Sequence, residues 1–191
     1  MDLKGLVGLQ AKLANYVLDA GNVRRLTTEQ MRVCPTPEMN SVAWLIWHIT
    51  RCEDVTINTV ARGVPQVLAA GGWRAKPGLD DPRIGTGMTH AEVEALSKAV
   101  DLDALLGYRR EVLAQTAAWV AEVDEAYLDR QFDVRERLKD VEPIVGGDAQ
   151  WLYDAWAKPV GFYLGYSAIG HVYTHIGEIQ AIRGLLGVRG L

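Results

Sequence analysis

The chain has 191 residues, 49% of them hydrophobic and 23% charged, with 20 Lys+Arg against 24 Asp+Glu for a formal net charge of −4. That is too apolar for a disordered chain and enough for one substantial core, so a single domain over residues 1–191 is expected. A mildly acidic chain with no basic tail and no run of like charges excludes nucleic acid as the main partner, because backbone binding needs clustered Lys and Arg.

Met1-Asp2-Leu3-Lys4-Gly5 lacks the charged-then-apolar order of a signal peptide. The stretch nearest to a membrane span, Val160 to Ile182, carries His171, His175 and Glu178, which are costly in lipid. Cys34 and Cys52 form no C-x-x-C pattern and argue against a disulfide scaffold or a cysteine-rich zinc site. The expectation is a soluble cytoplasmic protein with no membrane partner.

Apolar residues recur at helical spacing, and strand-like alternation is almost absent. Leu3, Leu6, Val7, Leu9, Leu13, Val17 and Leu18 share a broad face, which predicts a first helix over about 3–21 with Gly21 and Asn22 as its C-cap residues. A short turn follows at Thr27–Met31, and Pro35 and Pro37 keep the next stretch extended. Asn40 or Ser41 N-caps a second helix reaching about Arg62, stopped by Gly63 and Pro65. Residues 63–89 hold six Gly and three Pro; a loop of that length is a lid, a binding loop or a mobile segment.

Thr89 opens a third helical region to about Ala99, recapped at Asp101 and continued to about Val123. Residues 125–148 are mixed, and the charged run Asp129 to Asp140 reads as solvated surface. Trp151 to Trp156 adds a turn or two, Pro159 with Gly161 breaks it, and a last helix runs from about Phe162 to Leu186, closed by Gly187. Four substantial helices without strands predict an all-α four-helix bundle with long connecting loops.

Three of the four histidines fall on apolar faces. His171 and His175 are offset by roughly 40° and one turn, on a face shared with Leu164, Ala168, Ile182 and Leu185, and Glu178 continues the stripe. His48 sits among Ser41, Trp44, Leu45, Cys52, Val55 and Thr59. One such histidine alone reads as a hydrogen-bonded core residue; three on facing helices point also to a shared metal ion. Val172 excludes the H-E-x-x-H of zinc proteases, and Leu45, Ala168 and Val172 stand where a di-iron bundle would need Glu. His90 reads as an exposed first-turn residue. Cys52 reads as a buried thiol, or else as a fourth ligand. Trp44 and Trp47 read as core aromatics, while Trp73, in the long loop, is a candidate for substrate contact. Tyr166 and Tyr173 are offset from His171 by α-helical spacing and are not expected to reach the site. Gly170, Gly177 and Gly184, seven apart, form a small-residue stripe for a close neighbour, either another helix of the chain or a dimer partner.

Pro35-Thr36-Pro37, then Asn40-Ser41-Val42-Ala43-Trp44-Leu45-Ile46-Trp47-His48, and later Gly170-His171-Val172-Tyr173-Thr174-His175-Ile176-Gly177-Glu178-Ile179, resemble the DinB/YfiT-like superfamily. The resemblance implies a bacterial four-helix bundle, often a homodimer, with one divalent metal ion (zinc or nickel) held by His48, His171 and His175. It further implies a low-molecular-weight thiol of the mycothiol or bacillithiol type, used for S-transfer to, or isomerisation of, a small-molecule substrate. Where the family usually carries Gln, this chain has Glu178, a candidate fourth ligand, general base or supporting partner of a ligand. A metal-dependent hydrolase with Glu178 as base and a non-catalytic metal-binding dimer are the alternative readings.

Overall fold

Thr27, Ser41, Thr89 and Asp101 each accept a backbone N–H from the first turn of the helix that follows, satisfying donors that a helix start otherwise leaves orphaned. The computed structural model describes residues 3–141 and 143–188. Helix α1 (Leu3–Tyr16) runs on into a π-helical segment, Val17–Val23; α2 is Thr28–Arg32; α3 (Val42–Glu53) continues as a second π segment, Asp54–Arg62. Helices α4 (Val67–Ala70), α5 (His90–Ala99), α6 (Leu102–Glu122), α7 (Glu125–Leu128), α8 (Val134–Leu138) and α9 (Trp151–Ala155) follow. The chain ends in α10 (Val160–Gly165), a third π segment (Tyr166–Gly170) and α11 (His171–Leu185). Among the described residues the only extended pairing is an isolated bridge between Gln131 and Pro159, so the fold is all-α.

Helix α3 and its π extension form the axis of the molecule: every residue from Ser41 to Ala61 is buried. The first half is surrounded by α2, α5, α6 and α11, the second by α6, α8 and α10. A helix enclosed on all sides is expected to be apolar, yet this one carries Arg51, Glu53, Asp54 and Asn58. They are paired inside the protein. Arg109 of α6 donates to Glu53 at 2.7 Å, and Asp54 accepts from the Tyr108 hydroxyl at 2.6 Å and from the Val67 and Leu68 amides at 2.9 and 3.0 Å. Asp54 therefore caps α4, tying the start of the long loop to the axis.

Several boundaries differ from the sequence reading. Gly21 and Asn22 do not cap α1, because the π segment carries the helix to Val23; Asn22 is buried and accepts from Arg183 of α11 at 2.8 Å. Leu6, Leu9 and Leu13 lie 42–45% exposed, since α1 turns a narrower face to the core than its leucines suggested; the side chain of Leu3 lies outside the described residues. Pro159 precedes the first residue of α10 and so starts that helix, where its missing N–H costs nothing. Within the charged run 129–140, Val134 and Leu138 of α8 are buried. A Cβ on Gly177 or Gly184 would meet nothing within 4 Å, so no helix among the described residues packs on that stripe. No described helix is long and apolar enough to cross a membrane.

Candidate metal centre

His48 is placed by the start of α3. Ser41 caps the helix by accepting from the Trp44 amide at 3.0 Å, and the Ser41 and Ser97 hydroxyls meet at 2.6 Å, which ties this end to α5. One turn further on, α3 packs on α11 and turns His48 towards His171 and His175. One ligand-capable nitrogen from each of the three rings lies within 4.8 Å of the others. The Nε2 atoms of His171 and His175 are 2.9 Å apart. His48 and His171 are each 8% exposed.

The long loop completes the pocket wall. Arg51, one turn after His48, donates to the carbonyls of Pro82 and Arg83, and the next carbonyl, that of Ile84, accepts from His48 Nδ1. Gly85 then passes at φ +99°, so close that a Cβ would lie 2.6 Å from Trp44 and 3.2 Å from His48 Nδ1. Only glycine suits both that conformation and that distance. The loop is thus pinned by two side chains of the axis helix, and it fixes the tautomer of His48: with Nδ1–H donated to Ile84, Nε2 keeps its lone pair.

Burial governs the electrostatics. It depresses the pKa of His48 to about 4 and that of His171 to about 3, the latter assisted by repulsion from His48, His175 and Arg109. Both imidazoles are neutral at physiological pH. Glu178 Oε1 lies 3.1 Å from His175 Nδ1, at ion-pair distance though off the line of a hydrogen bond. With Nε2 facing Nε2 at 2.9 Å, the His171 and His175 rings have room for at most one proton between them, and otherwise oppose two lone pairs. The donor set therefore fits a divalent cation: three imidazole nitrogens, with the opposite nitrogen of His48 held by the Ile84 carbonyl and that of His175 3.1 Å from the Glu178 carboxylate.

The remaining expected residues fall as follows. Glu178 contacts a histidine of the cluster and stands outside the three-nitrogen set. Cys52 packs on His48, its sulfur 3.8 and 3.9 Å from the two ring nitrogens, and burial pushes its thiol up to about 12. Trp73 donates to Glu111 at 2.7 Å and lies against Gly107 and Tyr108 of α6; the indole at the imidazoles is Trp44, stacked on His48 at 4.8 Å and 10°. His90 is exposed near Glu94, and Tyr173 is 40% exposed.

Tyr166 overturns its expected offset. It stacks on His171 at 5.4 Å and 26°, with Phe162 stacked on it in turn at 5.4 Å and 13°. The cause is the π segment, in which the His171 amide donates to the Tyr166 carbonyl five residues back. Residues i and i+5, about 140° apart on an α-helix, are brought near one line by the wider turn. No local sequence signal marks Tyr166, Ile84 or Gly85 for the site, beyond the glycine richness of the loop.

The sequence pattern of the DinB superfamily matches residues 19–153, a span that includes His48 and ends before His171 and His175. A crystal structure described as the conserved protein of locus from Enterococcus faecalis superposes with a TM-score of 0.74 at 22% identity, covering 99% of each chain, and so shares the fold. No curated protein matches the chain.

Proposed function

The chain belongs to the DinB superfamily, and we propose that His48, His171 and His175 hold one divalent metal ion, zinc or nickel, at the centre of an enzyme that uses a low-molecular-weight thiol. The observation that carries this reading is the convergence of three imidazole nitrogens within 4.8 Å, two of them on the buried rings of His48 and His171. A bound divalent ion with three protein ligands supplies Lewis acidity and lowers the pKa of a thiol or water that reaches it. The chain's own groups do the rest. The Ile84 carbonyl orients His48, the Glu178 carboxylate stands 3.1 Å from His175 Nδ1 as its nearest acidic neighbour, and Trp44 and Tyr166 cover imidazole faces and restrict water.

Thiol transfer is favoured over hydrolysis by the place of Glu178. A carboxylate engaged with His175 Nδ1 acts as a supporting partner of that ligand and is poorly free to serve as a general base. The substrate is a small electrophile, and mycothiol or bacillithiol is the thiol class. The protein works as a homodimer, supported by Leu6, Leu9, Leu13 and Tyr16, which leave an apolar stripe of α1 exposed.

The test is metal analysis of protein purified without a nickel column or chelator, followed by monochlorobimane consumption with added thiol. Wild type is expected to carry about one equivalent of metal and to exceed the background rate; His48→Ala is expected to lose both. Metal-free protein that stays folded and refuses zinc and nickel would overturn the site. Loaded protein that accelerates no thiol reaction would leave the non-catalytic metal-binding bundle.

A further inference from the structure

Arg51 and Asp54, one turn apart on the axis helix and both fully buried, grip the long loop at its two ends. Asp54, the anion, takes the amides of Val67 and Leu68 where the loop begins. Arg51, the cation, takes the carbonyls near its end: Nη2 donates to Pro82 at 2.6 Å and Nε to Arg83 at 3.1 Å. The Tyr108 hydroxyl joins the two charges, donating to Asp54 at 2.6 Å and accepting from Arg51 Nη1 at 3.1 Å.

A buried ion pair adds little net stability over apolar packing of the same volume, so stability alone does not account for this one. Its effect is positional. The Arg83–Ile84 peptide is fixed at both ends, its carbonyl by Arg51 and its amide by the Ile144 carbonyl at 2.8 Å. The next peptide presents the Ile84 carbonyl to His48 Nδ1, and the residue beyond it is Gly85, the least restrained of backbones. With glycine on one side, the direction of that carbonyl is set from the other, where Arg51 holds the chain.

We propose that Arg51 is a positioning residue for the metal centre: through the carbonyls of Pro82 and Arg83 it aims that of Ile84, which holds His48 as the Nδ1–H tautomer and leaves the Nε2 lone pair for the ion. This rests on the three-histidine reading of the site, and Arg51 acts on that site through the loop.

The test has two readouts on the full-length protein. Imidazole nitrogen NMR shifts of the metal-free form report the His48 tautomer, and competition with a chromophoric chelator reports zinc affinity. Wild type is expected to show the Nδ1–H tautomer. Arg51→Lys keeps the charge beside Asp54 but has no fork for two carbonyls; it is expected to populate both tautomers and to bind zinc about 10-fold more weakly or worse. Tyr108→Phe, which leaves Arg51 Nη1 without the hydroxyl, should shift both readouts in the same direction and replaces Arg51→Lys if that variant does not fold. Leu18→Ala truncates a buried side chain among Ile46, Leu106 and Leu113, away from the loop, and should lower stability while leaving tautomer and affinity at their wild-type values. An unchanged tautomer or an unchanged affinity in Arg51→Lys, or an equal shift in Leu18→Ala, would overturn the proposal. A tautomer that responds to Arg51→Lys in a protein that binds no zinc would instead overturn the metal centre and uphold the hold of Arg51 on His48.

Discussion

His48 and His171 are buried so deeply that their chemistry differs from that of a free histidine. An unfolded chain takes a proton on each near pH 6.5, whereas the folded protein resists until about 4 and about 3. Above the unfolded value the two add no pH dependence. As the pH falls below it, the unfolded state binds protons that the folded state refuses, and stability is lost until the folded values are passed. Metal-free protein is therefore expected to be less stable at pH 5 than at pH 7.5 by roughly 3–4 kcal/mol, measured by urea unfolding after chelation; equal midpoints would mean that the imidazoles are not held neutral. Glu178 gives a second residue-level test. Glu178→Ala should weaken zinc binding about 10-fold or more in a competition titration. Glu178→Gln, which keeps an acceptor for His175, should stay within a few-fold of wild type. Equal loss in both would make the charge itself the contribution.

At the scale of elements, the site depends on two departures from regular structure. The π segment before α11 brings Tyr166 over His171, and the left-handed turn at Gly85 lets the loop reach His48. Gly85→Ala adds both a strained φ and a Cβ within 3 Å of Trp44 and Trp47. It is expected to destabilise the protein by about 2–4 kcal/mol in chemical denaturation, and to weaken metal binding because the Ile84 carbonyl moves with it. A variant with wild-type midpoint and affinity would show that the loop adjusts freely. Positions 63–89 read from sequence only as a long, glycine-rich connection. That Arg51 and His48 pin it is invisible there, since both lie in an unbroken helical pattern.

For the molecule as a whole, the exposed leucines of α1 are the feature that the isolated chain leaves unexplained. Leu6, Leu9, Leu13 and Tyr16, between 42% and 69% exposed, form a stripe that a second copy would cover. Light scattering is expected to give twice the 21.1 kDa chain mass, falling to one chain for the Leu9→Glu, Leu13→Glu double variant with helicity retained. A monomeric wild type would remove the dimer from the proposed function. The same whole-molecule view explains why α3 and its π extension tolerate Arg51, Glu53 and Asp54: their partners, Tyr108 and Arg109 of α6 and the backbone of the long loop, surround them from several sides.

Local physics was enough for much of this protein. Capping residues at 41, 89 and 101, the glycines that end helices at 63 and 187, and 3.6-residue periodicity locate the long helices, because each acts within a turn or two of chain. The same periodicity puts His171 and His175 on one face and His48 on another apolar face, so the three candidate ligands are legible in the amino-acid sequence itself. What only the tertiary structure decided are the contacts made across long stretches of chain. Ile84 on His48, Asn22 on Arg183, Arg109 on Glu53, and the choice of Trp44 over Trp73 beside the imidazoles all join residues that share no local pattern. Tyr166 belongs with them although it is only five residues from His171. Its alignment follows from a helical turn that widens to a π geometry, a departure that propensity and α-helical spacing do not encode.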